Sequence, residues 1–95
     1  MVTRGLAVAQ RTTDELERID RMIAQAERFS SAGKPGEARA RARQALVKII
    51  RSIATPESLE HMREMRQRHR LAMSILRRHG GRARTPAHPV PESWY

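Results

Sequence analysis

The sequence predicts an all-α protein: a three-helix bundle, made of a helical hairpin and a longer third helix, with an extended Pro-rich C-terminal tail. Three stretches of apolar residues recur with helical spacing, and no segment alternates in the way a β-strand does. Glycine and proline residues separate the three stretches, as expected of short connections between helices. The 95 residues suffice for one domain with a modest core.

The first apolar stripe predicts helix 1 over residues 13–31, preceded by a flexible leader over residues 1–11. Thr12 and Glu15 have capping-box spacing, which predicts the start of the helix. Gly33 is placed to cap its C-terminus. The stripe consists of Leu16, Ile19, Ile23 and Ala26, with Met22 and Phe29 beside them.

Helix 2 is predicted from Pro35, which suits the first helical turn, to about Ile53. Its two faces are cleanly separated, as in an amphipathic helix. The apolar face consists of Ala38, Ala42, Ala45, Leu46, Ile49 and Ile53. The polar face consists of Arg41, Gln44, Lys48 and Arg51, and three of these residues are cationic.

Helices 1 and 2 together resemble a tetratricopeptide-type helical hairpin over about a third of the chain. The pattern A-x2-F-x3-G-x4-A-x6-A-L carries the resemblance, through Ala26, Phe29, Gly33, Ala38, Ala45 and Leu46. The resemblance implies two antiparallel helices in contact through small alanine side chains.

Helix 3 is predicted to begin after Thr55 as the cap, with Pro56 in the first helical position, and to end near His79 before two glycines. One face consists of Leu59, Met62, Met65, His69, Ala72, Met73 and Leu76. Leu71 and Ile75 lie on a different side. We expect a three-helix bundle to leave these two exposed, as a patch that contacts another protein.

The tail over residues 81–95 contains three prolines, which predict extended geometry. Its last two residues, Trp94 and Tyr95, are predicted to contact protein neighbours because large aromatic side chains anchor interfaces. The predicted organisation is therefore a leader over 1–11, a helical domain over 12–80 and a tail over 81–95.

The charge distribution provides the main indication of function. The net charge is +9, and residues 65–84 contain seven arginines and no acid. Arginine presents a donor fork that fits phosphate, so we expect contacts with nucleic acid. The predicted nucleic-acid-binding residues are Arg41, Lys48, Arg51, Arg66, Arg68, Arg70, Arg77, Arg78, Arg82 and Arg84. The alternative is a solvated face whose arginines pair with glutamates, as expected for Arg63 with Glu60 and Arg68 with Glu64.

No motif that reads bases accompanies these charges, so binding is predicted to be directed at the backbone and weakly sequence-specific. Stacking platforms for single strands are absent from the sequence unless Trp94 and Tyr95 serve.

Other chemistries are not expected. The chain has no cysteine, and its four histidines lack the i, i+4 spacing of metal ligands, so no metal or cofactor is predicted. Ser52, Ser58 and Ser74 have no neighbouring acid–base set in the sequence, so neither an enzyme nor a small-molecule substrate is expected. No apolar run is long enough to span a bilayer, so we predict no membrane partner, and a place in the cytoplasm or in an intracellular or viral assembly.

These observations predict a small, basic, non-enzymatic helical subunit of a larger assembly, which contacts nucleic-acid phosphates and docks onto protein subunits. The alternative is a pure protein–protein adaptor or regulator whose basic face binds an acidic protein surface.

Overall fold

A computed structural model describes the backbone of residues 2–80, Pro91 and Trp94, and the side chains of residues 13–80 and of the same two tail residues. The helices are α1 (Val2–Ser31), α2 (Pro35–Ile53) and α3 (Leu59–Arg78), and no strand occurs in this described part. The predicted all-α class is confirmed. With 30 residues, α1 is the longest helix, so the prediction of a longer third helix is wrong.

The start of α1 differs from its prediction. The helix begins at Val2, so the predicted start at residue 13 is wrong, and residues 2–11, predicted as a flexible leader, are helical. No proline lies within α1, and alanine, leucine, glutamine and arginine before Thr12 all favour helix. A continuing helix already satisfies the backbone N–H groups that a cap at Thr12 would serve.

The connection from α1 to α2 forms as predicted. Gly33 has a φ of 73°, the left-handed conformation that glycine adopts without strain. The amide of Lys34 donates to the carbonyl of Phe29 at 2.9 Å, and that of Gly33 donates to Ser30 at 3.2 Å. This pair of hydrogen bonds closes the helix as a Schellman motif. Pro35 is the first residue of α2.

The start of α3 is a second correction, because the N-cap is Ser58 and not Thr55. The Ser58 hydroxyl accepts a hydrogen bond from the amide of His61 at 3.0 Å. The His61 ring reaches back, and its Nδ1 accepts from the amide of Glu57 at 3.5 Å. The arrangement differs from a capping box, because the histidine accepts from the amide of Glu57, the residue before the cap, and not from that of Ser58 itself.

The three helices contact one another pairwise around a common aliphatic core. The six residues predicted for the apolar face of α2 are all buried. Ile19, Ile23 and Ala26 of α1 are buried too, and the other three residues of its stripe pack against them. Leu59, predicted to lie on the core face of α3, is 80% exposed because it is the first residue of that helix.

Leu71 and Ile75 are not equivalent, contrary to prediction. Leu71 is 51% exposed, but Ile75 is completely buried, so the prediction of an exposed Ile75 is wrong. Arg68 and Arg78, seven residues before and three after Ile75, both reach acidic side chains of α1. Ile75 therefore lies on the side of α3 that faces α1.

Trp94, which the sequence predicts to contact protein neighbours, packs within its own chain in the structure. Its side chain is 8% exposed and belongs to the core. Its ring meets that of His69 edge to face, with 5.3 Å between the ring centroids. Trp94 thus packs against α3 of its own chain, because the apolar side of that helix extends beyond the area covered by α1 and α2. Tyr95 lies outside the described residues.

Candidate nucleic-acid interface

Two rows of residues with a spacing of seven run along α3 on nearly opposite sides. The first row is His61, Arg68 and Ile75, and it faces α1 or the core. The second row is Arg63, Arg70 and Arg77. The second row follows the first by two residues, which is a rotation of about 200° around a helix. The fold therefore separates the arginines of α3 into an inward set and an outward set.

Arg68 belongs to the inward set and forms the most extensive ion pair among the described residues. Its guanidinium contacts Asp20 of α1 with two hydrogen bonds, at 2.8 Å and 3.0 Å, and Glu64 at 2.7 Å. Burial acts to lower the pKa of Arg68, but the hydrogen bonds and charges of the two carboxylates outweigh it and raise the pKa. The predicted Glu64–Arg68 pair is thus confirmed.

Arg78 is held in a similar way at the far end of α3. Its guanidinium donates to Glu27 of α1 at 2.8 Å and 3.1 Å. The hydrogen bonds to this carboxylate raise the pKa of Arg78. Arg68 and Arg78 were both predicted to bind phosphate, but the structure pairs them with acidic side chains of α1. This agrees with the alternative prediction, in which arginines pair with acids of the same chain.

The outward set, which we call the arginine stripe, consists of Arg63, Arg70 and Arg77. All three side chains are exposed, and none forms a hydrogen bond or ion pair with a residue that the structure describes. Successive members are about 10.5 Å apart along the helix axis. The residues between them on the same face are Gln67 and Ser74, both exposed and uncharged.

Arg63 was not among the predicted binding residues. Sequence reasoning assigned it to Glu60 as an i, i+3 partner, yet no such pair forms among the described residues. The spacing of seven from Arg63 to Arg70 and to Arg77 was the signal that could have identified it.

A shallow groove of about 580 Å³ lies beside the stripe. It is lined by His69, Arg70, Met73, Ser74, Arg77, Arg78 and Trp94. Trp94 packs into the core and leaves little ring surface for a nucleobase to stack on. The groove therefore combines cationic side chains with no aromatic platform among its described residues.

The other predicted binding residues have separate positions. Arg66 is half-buried, with internal contacts of its own, and Arg41 donates to Gln44 at 3.1 Å. Lys48 and Arg51 line a different cavity, between α1, α2 and the start of α3. Arg82 and Arg84 lie outside the described residues.

That cavity contains a chain of hydrogen bonds that sequence reasoning missed. The Ser52 hydroxyl donates to the Glu15 carboxylate at 2.7 Å and lies 2.9 Å from His61 Nε2. Since the Ser52 proton goes to Glu15 and Nδ1 accepts from Glu57, Nε2 carries the ring proton and donates to Ser52. The prediction that Ser52 has no acid–base neighbours is wrong, because the fold brings together residues from all three helices.

We expect Arg68→Gln to lower the free energy of unfolding by about 1–2 kcal/mol, because it removes hydrogen bonds to two carboxylates, one of them well exposed. Urea denaturation measures the change. Arg63→Gln, the same substitution five residues earlier in the stripe, is the control, and we expect a change within about 0.5 kcal/mol. Equal losses at the two positions would contradict the division into two rows.

Comparison of the chain with known proteins assigns it to no family. No protein-family model, curated protein or solved structure matches the chain. Among the described residues, no three histidine, cysteine or acidic side chains are grouped as a metal site would require. None of the described helices has a stretch long and apolar enough to cross a bilayer.

Proposed function

We propose that this chain is a small non-enzymatic subunit that binds the phosphate backbone of nucleic acid through the arginine stripe, with little sequence specificity. The observation that carries the proposal is the sorting of the arginines in α3. Those that face α1 are neutralised by its acids, while Arg63, Arg70 and Arg77 stay exposed and unpaired among the described residues. A row of unpaired guanidinium groups favours contact with a polyanion.

The stripe places several cations along one face of α3. Its three arginines extend over about 21 Å of the helix axis, so more than one of them can contact the phosphates of a polyanion. Gln67 and Ser74, which lie between the arginines on this face, are exposed and uncharged. Of the two aromatic residues predicted as a stacking platform, the described one, Trp94, is buried, which favours a duplex over a single strand as the ligand.

The arrangement of the helices supports the same proposal. We infer a three-helix bundle in which α1 holds the inward side of α3 and presents the stripe to solvent. The burial of Ile75 and the two ion pairs between α1 and α3 are consistent with one rotation of α3 about its axis. That rotation determines which arginines are free to bind phosphate.

The triple variant Arg63→Gln, Arg70→Gln, Arg77→Gln tests the proposal. We expect at least about a tenfold loss of affinity for a duplex at low salt. The slope of the logarithm of affinity against that of salt concentration should fall by about 0.9 for each arginine that contacts phosphate. Fluorescence anisotropy with a labelled duplex at several salt concentrations measures both quantities.

A triple variant with the same change of charge serves as the control. Arg21, Arg28 and Arg43 are exposed and form no ion pair with a described residue, and they lie away from the stripe on α1 and α2. Substituting these three with glutamine should reduce affinity less than the stripe variant does. Equal losses would mean that net charge alone governs binding, and absence of binding at low salt would refute the proposal.

The second candidate is an adaptor or regulator whose stripe binds an acidic protein surface. Exposed Leu71, next to Arg70 in sequence, supports it by adding an apolar contact to the cationic face. Affinity purification with and without nuclease distinguishes the two candidates. Partners that are lost on nuclease treatment favour the nucleic-acid proposal. A protein partner that is retained, and lost in the stripe variant, favours the adaptor.

A further inference from the structure

We infer that the cavity between α1, α2 and the start of α3 is a separate binding site for a single phosphate group. The cavity has a volume of about 230 Å³, large enough for a phosphate and a small attached group but not for a polymer. Its lining residues include Arg18 of α1 and Lys48 and Arg51 of α2. This inference does not rest on the arginine stripe, which lies on the outward face of α3.

The three cations of the cavity are available to a ligand. None of them forms a hydrogen bond or ion pair with a residue that the structure describes, although two glutamates line the same cavity. The nearby carboxylate of Glu15 is engaged instead by the Ser52 hydroxyl, at 2.7 Å. The three cations therefore line the cavity without forming an ion pair with either glutamate.

The polar wall of the cavity is already ordered. His61 is 4% exposed, and it is held through Ser52 and by the amide of Glu57. Three hydrogen bonds, between Glu57 and His61, between His61 and Ser52, and between Ser52 and Glu15, join the start of α3 to α2 and α1. A ligand meeting this wall encounters a fixed surface, so little entropy is lost in ordering the protein.

The number and type of donors favour phosphate over carboxylate. Arg18, Lys48 and Arg51 approach from two helices, and a tetrahedral phosphate has enough oxygens to accept from all three. The three cations exceed the two carboxylates of the lining, Glu15 and Glu57, by one charge, so the cavity favours an anion. The phosphate could belong to a small monoester or to the end of a nucleic-acid strand.

Titration of the full chain with inorganic phosphate, followed by amide chemical shifts in 150 mM chloride, tests the inference. We expect saturable shifts centred on Ser52 and His61. The double variant Lys48→Gln, Arg51→Gln should weaken binding at least about tenfold, because each substitution removes a charge-assisted hydrogen bond. Arg51 is exposed and Lys48 is half-buried, and far-UV circular dichroism verifies that the variant folds.

Arg41→Gln combined with Arg43→Gln is the matched control, since it removes the same charge from the same helix outside the cavity. We expect this control and the stripe variant to bind phosphate within about twofold of the original chain. Shifts that do not saturate, or an equal loss in the control, would overturn the inference. Arg18→Gln gives an independent check from α1, and it should weaken binding as well.

Oligonucleotides with a 5′-phosphate or a 5′-hydroxyl identify the source of the phosphate. They are titrated against the stripe variant, so that binding along the backbone does not obscure binding at the end. If the 5′-phosphate strand binds more tightly than inorganic phosphate, the site recognises the end of a nucleic-acid strand. If the two bind equally, the site recognises the phosphate of a small ligand. Either outcome supports the site. A 5′-hydroxyl strand that displaces inorganic phosphate equally well would contradict recognition of a single phosphate.

Discussion

Replacing Ile75 with aspartate is expected to unfold the protein, whereas the same replacement at Leu71, one turn earlier, should leave the stability nearly unchanged. Ile75 is completely buried and Leu71 is 51% exposed. A carboxylate at position 75 would lose its hydration without gaining a partner, in addition to the lost apolar contacts. We expect a cost above about 4 kcal/mol, which approaches the whole stability of a small domain.

Far-UV circular dichroism during urea denaturation measures this difference. The Leu71→Asp control should lie within about 0.5 kcal/mol of the original chain. Ile75→Val keeps the chain folded and should cost about 0.5–1.5 kcal/mol, so the role of the position stays measurable if the aspartate variant does not fold. Similar results for aspartate at 71 and 75 would show that Ile75 is not a core residue.

The buried face of α2 was predicted completely, and that of α3 was not, for a geometric reason. All six apolar positions of α2 lie within one narrow sector, so their helical angles alone identify the face. The side of α3 that is covered is wider, because α1, α2 and Trp94 all pack against it. Ile75 lies at the margin of that sector, and only the position of α1 shows that this margin is buried.

For the arginines of α3, likewise, the sequence shows how many there are but not which acidic side chains they contact. Their abundance and the absence of acids from residues 65–84 are visible in the sequence. The pairing of Arg68 with Asp20 joins residues 48 positions apart, and that of Arg78 with Glu27 joins residues 51 apart. The packing of α1 on α3 determines these partners. The arginines of residues 65–84 were therefore predicted to form one surface, whereas the fold separates those of α3 into an inward set and an outward set.

The cavity around Ser52 could not be predicted for the same reason. Glu15, Ser52 and His61 lie on three different helices, and no spacing rule connects them. Ser58, by contrast, caps α3 through a contact three residues away, which is a local signal. That signal was passed over because Thr55 and Pro56 form a stronger pattern at the start of a helix.

Replacing Trp94 with alanine is expected to lower the free energy of unfolding by about 3–5 kcal/mol, the usual cost of deleting a buried tryptophan side chain. The Trp94 side chain is 8% exposed, although it is the second-last residue. Its ring covers His69, which is 1% exposed, so the deletion would also open this part of α3 to water. Trp94→Phe keeps an aromatic ring against His69 and should cost less than Trp94→Ala.

Fluorescence provides a direct measurement, because Trp94 is the only tryptophan in the chain. We expect emission typical of a buried indole, weak quenching by acrylamide, and a shift to the exposed spectrum in the same urea transition that circular dichroism reports. If the emission is that of an exposed indole and Trp94→Ala is as stable as the original chain, Trp94 does not belong to the core. It would then be available to contact protein neighbours, as the sequence predicts. If Trp94 is buried and its deletion is destabilising, its side chain helps to stabilise α3, the helix that presents the arginine stripe.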